Sequence, residues 1–156
     1  MVRPSARRWP PALIAVGLLT ATGCSPSPEP TAGLQRDGDG FAVLAPLCSW
    51  DQVASVTVAT TRTGLREEWT ITPGSREDRT DRFPLFVTPP GWSATATGLT
   101  ALSRDRTYLL SAADIVMDFT PADLDKLKGD EVLTIKGVGT TRVKPDKFRA
   151  RALKSC

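Results

Sequence analysis

Short runs rich in Val, Thr, Ile and aromatic residues, separated by Gly, Pro and charged clusters, fill the chain from residue 53 onward. Successive side chains of a strand point to opposite faces, so a half-buried strand alternates in polarity. Residues 53–60 place Ala54, Val56, Val58 and Thr60 on one face and Val53, Ser55, Thr57 and Ala59 on the other. Residues 67–72 set Glu67, Trp69 and Ile71 against Glu68, Thr70 and Thr72. Residues 83–87, 92–99, 107–111, 115–119, 132–136 and 147–153 continue the pattern, which predicts about eight strands. That spacing fits a single β-sandwich or small barrel, broadly immunoglobulin-like. The charged stretch 75–82 and the pair Pro89-Pro90 read as loops, and Gly137-Val138-Gly139 as a turn between Ile135 and Val143. One segment follows helical rules instead. Thr120 is a cap, Pro121 suits the first helical position and Asp123 the positive end of the dipole; Leu124 and Leu127 share a face, and Gly129 can close the helix. This predicts one short, two-turn helix between strands.

The pattern over residues 1–40 is different in kind. Arg3, Arg7 and Arg8 precede Trp9-Pro10-Pro11 and an apolar run of 8 residues, 12–19. That is the layout of a signal peptide, whose apolar region spans roughly 7 to 15 residues, and it falls short of the roughly 20 needed to cross a bilayer. Residues 24–40 read SPSPEPTAGLQRDGDG after Cys24, rich in Pro, Gly, Ser and Asp with little to bury, and are expected to be a disordered tether. The expected organisation is therefore a signal peptide over 1–23, a tether over 24–40 and one globular β domain over 41–156.

The residues Ala21, Thr22 and Gly23 leading into Cys24 resemble the lipobox of bacterial lipoproteins, with Ala21 standing where Leu is preferred. The resemblance covers the export segment alone. It implies cleavage before Cys24, acylation of its thiol and of the new amine, and residence at the extracytoplasmic face of the cell membrane. Several acyl chains anchor far more firmly than one. The pair Arg7-Arg8 is similar to a twin-arginine signal, but Trp9-Pro10-Pro11 depart from that pattern, so the export route stays open. Usage rich in Ala, Arg, Pro and Thr resembles that of a high-GC bacterium such as an actinobacterium, which would put the anchor in the outer leaflet of the cytoplasmic membrane.

With Cys24 taken by lipid, Cys48 and Cys156 remain as an even pair in an oxidising compartment, where one disulfide is the expected outcome. They lie 108 residues apart, and on the chain-entropy model closing a loop of that size stabilises the fold by about 4.7 kcal/mol. Zinc is not expected, because two thiolates without imidazole leave it short of ligands.

Charge narrows the function classes. The chain has 20 Lys and Arg against 17 Asp and Glu, but removing Arg3, Arg7 and Arg8 with the leader leaves 17 of each. A neutral mature chain has no bulk attraction for nucleic acid. There is no histidine, which excludes Ser-His-Asp and Cys-His centres. No serine has a lysine three residues on, so a Ser-Lys acylase is not expected either. Asp123 and Asp125 fail as a calcium loop, because Leu127 and Lys128 stand where an oxygen ligand and glycine are required. No cofactor or metal is expected.

Two features are candidate binding residues. Lys147, Arg149 and Arg151 alternate with Phe148, Ala150 and Ala152, and a strand would align the three bases along one face. Such a stripe suits anionic headgroups, an envelope polymer or an acidic protein patch, and it equally suits protection of a sheet edge. Of the aromatic residues Trp50, Trp69, Trp92 and Tyr108, Trp92 follows Pro89-Pro90-Gly91 and is the best placed for exposure on a loop rim. The expected function is a lipid-anchored envelope protein that binds an envelope protein, polymer or small ligand without catalysis. Two alternatives stand beside it: a histidine-free hydrolase using two of Glu67, Glu68, Asp78, Asp81, Asp114 and Asp118, and a structural subunit of a membrane complex.

Overall fold

Asp37-Gly38-Asp39-Gly40 turns the chain back on itself and so builds the centre of a sheet. The protein is described by a computed structural model over residues 31–46, 53–61, 66–75, 77–78, 80–113 and 115–155. Strand β1 (Gly33–Asp37) pairs antiparallel with β2 (Gly40–Leu44), in register from Gly33 opposite Leu44 to Asp37 opposite Gly40. Gly38 takes φ 58° in the two-residue turn, a left-handed value that glycine adopts without a Cβ penalty. Residues 33–40 are therefore part of the fold, which corrects the expectation of a tether running to residue 40. Leu34 is fully buried. Cys24, Cys48, Cys156 and Trp50 lie outside the described residues.

The other strands are β3 (Val56–Thr60), β4 (Glu68–Pro73), β5 (Arg82–Pro84), β6 (Trp92–Thr97), β7 (Tyr108–Ala112), β8 (Ile115–Phe119), β9 (Val132–Lys136) and β10 (Gly139–Val143). They form two antiparallel five-stranded sheets, the first ordered β10-β9-β1-β2-β5 and the second β6-β4-β3-β7-β8. The β9–β10 turn is made by Gly137, at φ 62°, and Val138, as the glycine spacing predicts. The expected sandwich is the observed architecture, with two short helices among the described residues rather than one.

Register puts the core where alternation says it belongs. Phe83, Val43, Leu34 and Leu133 lie side by side across the first sheet. Trp69, Val58, Leu110 and Met117 lie side by side across the second, with Ile71, Val56, Ala112 and Ile115 forming the next row. All are buried in one apolar cluster, and each large aliphatic or aromatic side chain so placed contributes about 1.5–3 kcal/mol of transfer free energy. Tyr108 is buried at the end of the second sheet, stacked on Phe119 at 5.7 Å, and its hydroxyl accepts from the Ser103 N–H at 2.7 Å.

Helix α1 (Pro121–Asp125) carries the chain from β8 in the second sheet to β9 in the first. Thr120 caps it: the Asp123 N–H donates to Thr120 Oγ1 at 3.3 Å, and the Thr120 N–H and hydroxyl donate to Asp123 Oδ2 at 3.0 and 2.7 Å. The Thr120 hydroxyl, with its backbone N–H and the Lys126 charge, holds the Asp123 carboxyl below its ordinary pKa against partial burial. The helix is shorter than two turns. It stops at Asp125, and Gly129, at φ 58°, serves the following turn, where the Lys128 N–H donates to Glu131 Oε2 at 3.0 Å.

Residues 147–153 are not a strand. Helix α2 (Pro145–Ala152) covers them, followed by a 3-10 turn (Leu153–Ser155). Pro145 opens the helix and Asp146 sits in its first turn. The segment also lacks β-branched residues. Burial follows Phe148 and Ala152, four apart, while Ala150 is exposed. The ring of Phe148 lies against β1 at Gly33, where an added Cβ would sit 2.6 Å from Val132 Cγ1 and 3.4 Å from Phe148 Cε2. Glycine at position 33 is required by the close approach of β9 to β1, while the Phe148 ring stands at ordinary van der Waals distance.

Candidate functional site

Helix α2 covers only part of the outer face of the first sheet, and the uncovered part forms a groove of about 300 Å³. Its floor is Leu44 and Phe148, its rims include Pro46 and Pro145, and its polar groups are Gln35, Asp81, Arg82, Asp146 and Arg149. Strand periodicity explains why these residues meet. Gly33, Gln35 and Asp37 alternate with Leu34 on β1, so when Leu34 enters the core, Gln35 and Asp37 face outward beside Arg82 of β5.

The buried amide of Gln35 is satisfied at both ends. Its Nε2 donates to the Asp130 carbonyl at 2.6 Å and its Oε1 accepts from Arg82 Nη1 at 3.0 Å. Arg82 Nη2 also meets Asp37 Oδ1 at 2.9 Å, so this guanidinium is fixed by two partners. Arg149 is held more loosely, 3.5 Å from Asp81 Oδ2, with both side chains more than half exposed. An exposed pair of that kind contributes below about 1 kcal/mol. Arg82 is thus engaged by two partners, whereas Arg149 can leave its carboxylate for an incoming anion at little cost. The groove is mixed in polarity, with an apolar floor at Leu44 and Phe148 and with Asp81 and Asp146 balancing the charges of Arg82 and Arg149.

Of the residues expected to bind, Arg149 lines this groove. Lys147 and Arg151 do not, because two residues along a helix rotate a side chain by about 200°, so the expected single basic face is divided. Trp92 is not on a rim. It is 92 % buried, its ring meets Phe83 edge-on at 4.9 Å, and its Nε1–H donates to the Asp78 carbonyl at 3.2 Å. The turn ahead of it explains the misplacement: Gly91 takes φ 78°, a Cβ there would overlap the Asp78 carboxylate, and the chain is folded inward at that point. Trp69 and Tyr108 are buried as well, so these aromatic residues fill the core.

The candidate acids have separate local engagements. Glu67 pairs with Arg106 and Glu68 with Arg66 at 3.2 Å, while Asp78 accepts from the Ser75 N–H and hydroxyl at 2.9 and 3.0 Å. Asp81 holds Arg149 as described. Asp118 is exposed beside a second, shallower groove of about 390 Å³ between β8 and the β9–β10 turn, edged by the exposed Val116 and Val138. Asp114 lies outside the described residues. Sequence reading missed the groove residues Gln35 and Arg82, and with them Asp37, which pairs with Arg82. For Gln35 and Asp37 the signal was the Asp-Gly-Asp-Gly turn flanked by Leu34 and Phe41, which marks a hairpin; Arg82 had no comparable one.

No helix among the described residues is long and apolar enough to cross a membrane. No protein-family model matches the chain, and no curated protein or solved structure matches it.

Proposed function

We propose that the protein is a lipid-anchored module on the extracytoplasmic face of the cell membrane, and that it binds a partner or small ligand without catalysing a reaction. The observation that carries the reading is the leader: three arginines, a short apolar run and Ala21-Thr22-Gly23 immediately before Cys24. Acylation at Cys24 supplies the attachment, and the sandwich supplies a rigid scaffold for the groove beside α2. In that groove Arg149 exchanges Asp81 for an anionic group of the ligand, with Leu44 and Phe148 beneath it. A bridge between Cys48 and Cys156 belongs to the same proposal, since export exposes both thiols to oxidation.

The test is metabolic labelling of a bacterial host with an alkyne fatty acid, followed by membrane fractionation. The wild-type chain is expected to carry label and sediment with membranes, and Cys24→Ser to lose both. Equal labelling of wild type and Cys24→Ser, or an intact leader on the membrane-bound protein, overturns the anchor. Thiol labelling of the denatured, unreduced protein is expected to find Cys48 and Cys156 blocked. For the binding role, covalent capture of partners on intact envelopes is expected to weaken with Arg149→Glu and to persist with Lys147→Glu.

A further inference from the structure

The two sheets end in four edge strands, and one of them is unlike the rest. Edges invite pairing with another chain, and proteins guard them with charge, proline or short length. Here β5 is three residues long with Arg82 and Pro84, β8 carries Asp118, and β10 carries Arg142. Strand β6 reads Trp-Ser-Ala-Thr-Ala-Thr, spans six residues and has neither charge nor proline. Its first residue is buried and the remaining five are exposed. The absence of charge extends well beyond the strand, since residues 84–103 contain no Asp, Glu, Lys or Arg. Among the described residues, β4 is the only strand that pairs along β6, in register from Trp69 opposite Ala96 to Pro73 opposite Trp92.

We infer that β6 is a self-association edge, and that two copies of this chain pair antiparallel through it to make one continuous ten-stranded sheet. A second copy is favoured over an extended peptide by the side chains themselves. Peptides added to an edge gain specificity from pockets for alternate side chains, and Ser93, Ala94, Thr95, Ala96 and Thr97 are too small to frame any. A two-fold pairing needs none, because the edge is complementary to itself. Centred on Thr95, it sets Thr95 opposite its own copy, Ser93 opposite Thr97 and Ala94 opposite Ala96. Hydroxyls then meet hydroxyls on one face and methyls meet methyls on the other. No like charges face each other anywhere along the seam. The seam is short, so the dimer is weak and concentration-dependent.

The experiment is sedimentation of the full chain in density-matched detergent, comparing wild type, Thr95→Lys and Thr95→Val, with thermal melts to verify that each is folded. Thr95 is exposed, so both substitutions leave the core intact. Wild type is expected to show a monomer–dimer equilibrium. Thr95→Lys, which places two ammonium groups directly opposite, is expected to weaken it by about tenfold or more. Thr95→Val keeps the backbone ladder and is expected to dimerise as wild type does. A wild-type chain that stays monomeric up to about 1 mM, whether or not it captures an extended peptide, overturns the inference. So does a dimer unaffected by Thr95→Lys, which would be held by the leader or another surface, or one abolished by Thr95→Val.

Discussion

The outer faces of the two sheets are built on opposite terms. In the first sheet that face is partly roofed by α2, and Gly33, Gln35, Ala42 and Val132 are buried beneath or beside it. In the second sheet it is open, and a row of Thr95, Thr70, Thr57, Ser111 and Val116 runs across all five strands without a fully buried member. The strands that look inward on both sides lost their polar alternation; those that look outward on one side kept it. Polar groups in the roofed face must find protein partners, as Gln35 does, while those in the open face have water.

Substitutions on the two faces should therefore differ in cost. Phe148→Ala removes the ring that seals α2 onto β1 and is expected to destabilise the protein by about 3–5 kcal/mol in denaturant unfolding. Gly33→Ala places a methyl group against Val132 and the Leu133 carbonyl, and is expected to cost roughly 1–3 kcal/mol by the same measurement. At the crossing between sheets, Asp123→Asn is expected to cost about 1 kcal/mol through the cap. Because the Asp123 carboxyl is held below its ordinary pKa in the fold, its contribution is present above the unfolded value and is lost as pH falls through the lowered one. Thermal melts from about pH 5 downward should accordingly fall more steeply for wild type than for Asp123→Asn. On the open face, Thr70→Ala loses a hydroxyl 2.9 Å from that of Thr57 and 3.5 Å from Glu68 Oε1, and is expected to cost only about 0.5–1 kcal/mol. A Phe148→Ala protein as stable as Thr70→Ala would mean that the roof adds nothing.

The same contrast explains what was legible in the sequence. Strands β4 and β8 and the start of β3 were readable because Val56, Trp69, Ile71 and Met117 alternate with polar or exposed neighbours. Helix α1 was readable because Thr120, Pro121 and Asp123 act within one turn. Strand β1 reads as linker because Gly33, Leu34 and Gln35, all buried, show no polar period and because the Asp-Gly turn after it shares its composition with tethers. Helix α2 was misread through a real alternation of bases with Phe148, Ala150 and Ala152, in which Ala150 carries no burial. Of the groove, Arg149 stood out as a candidate binder and Asp81 as a candidate acid. Gln35 and Arg82 are 47 positions apart, and nothing local to either one announces the hydrogen bond between them.

Placing β1 at the middle of the first sheet changes the reach of the molecule. Only eight residues separate Cys24 from Gly33, and fully stretched they span at most about 30 Å, roughly half of what a leash running to residue 40 would allow. On the lipid-anchored reading proposed above, that shorter leash would hold the sandwich nearer the headgroups. Leu44 and Arg82 stand level with Gly33 in the register, so the groove lies at the end of the first sheet where the chain enters β1.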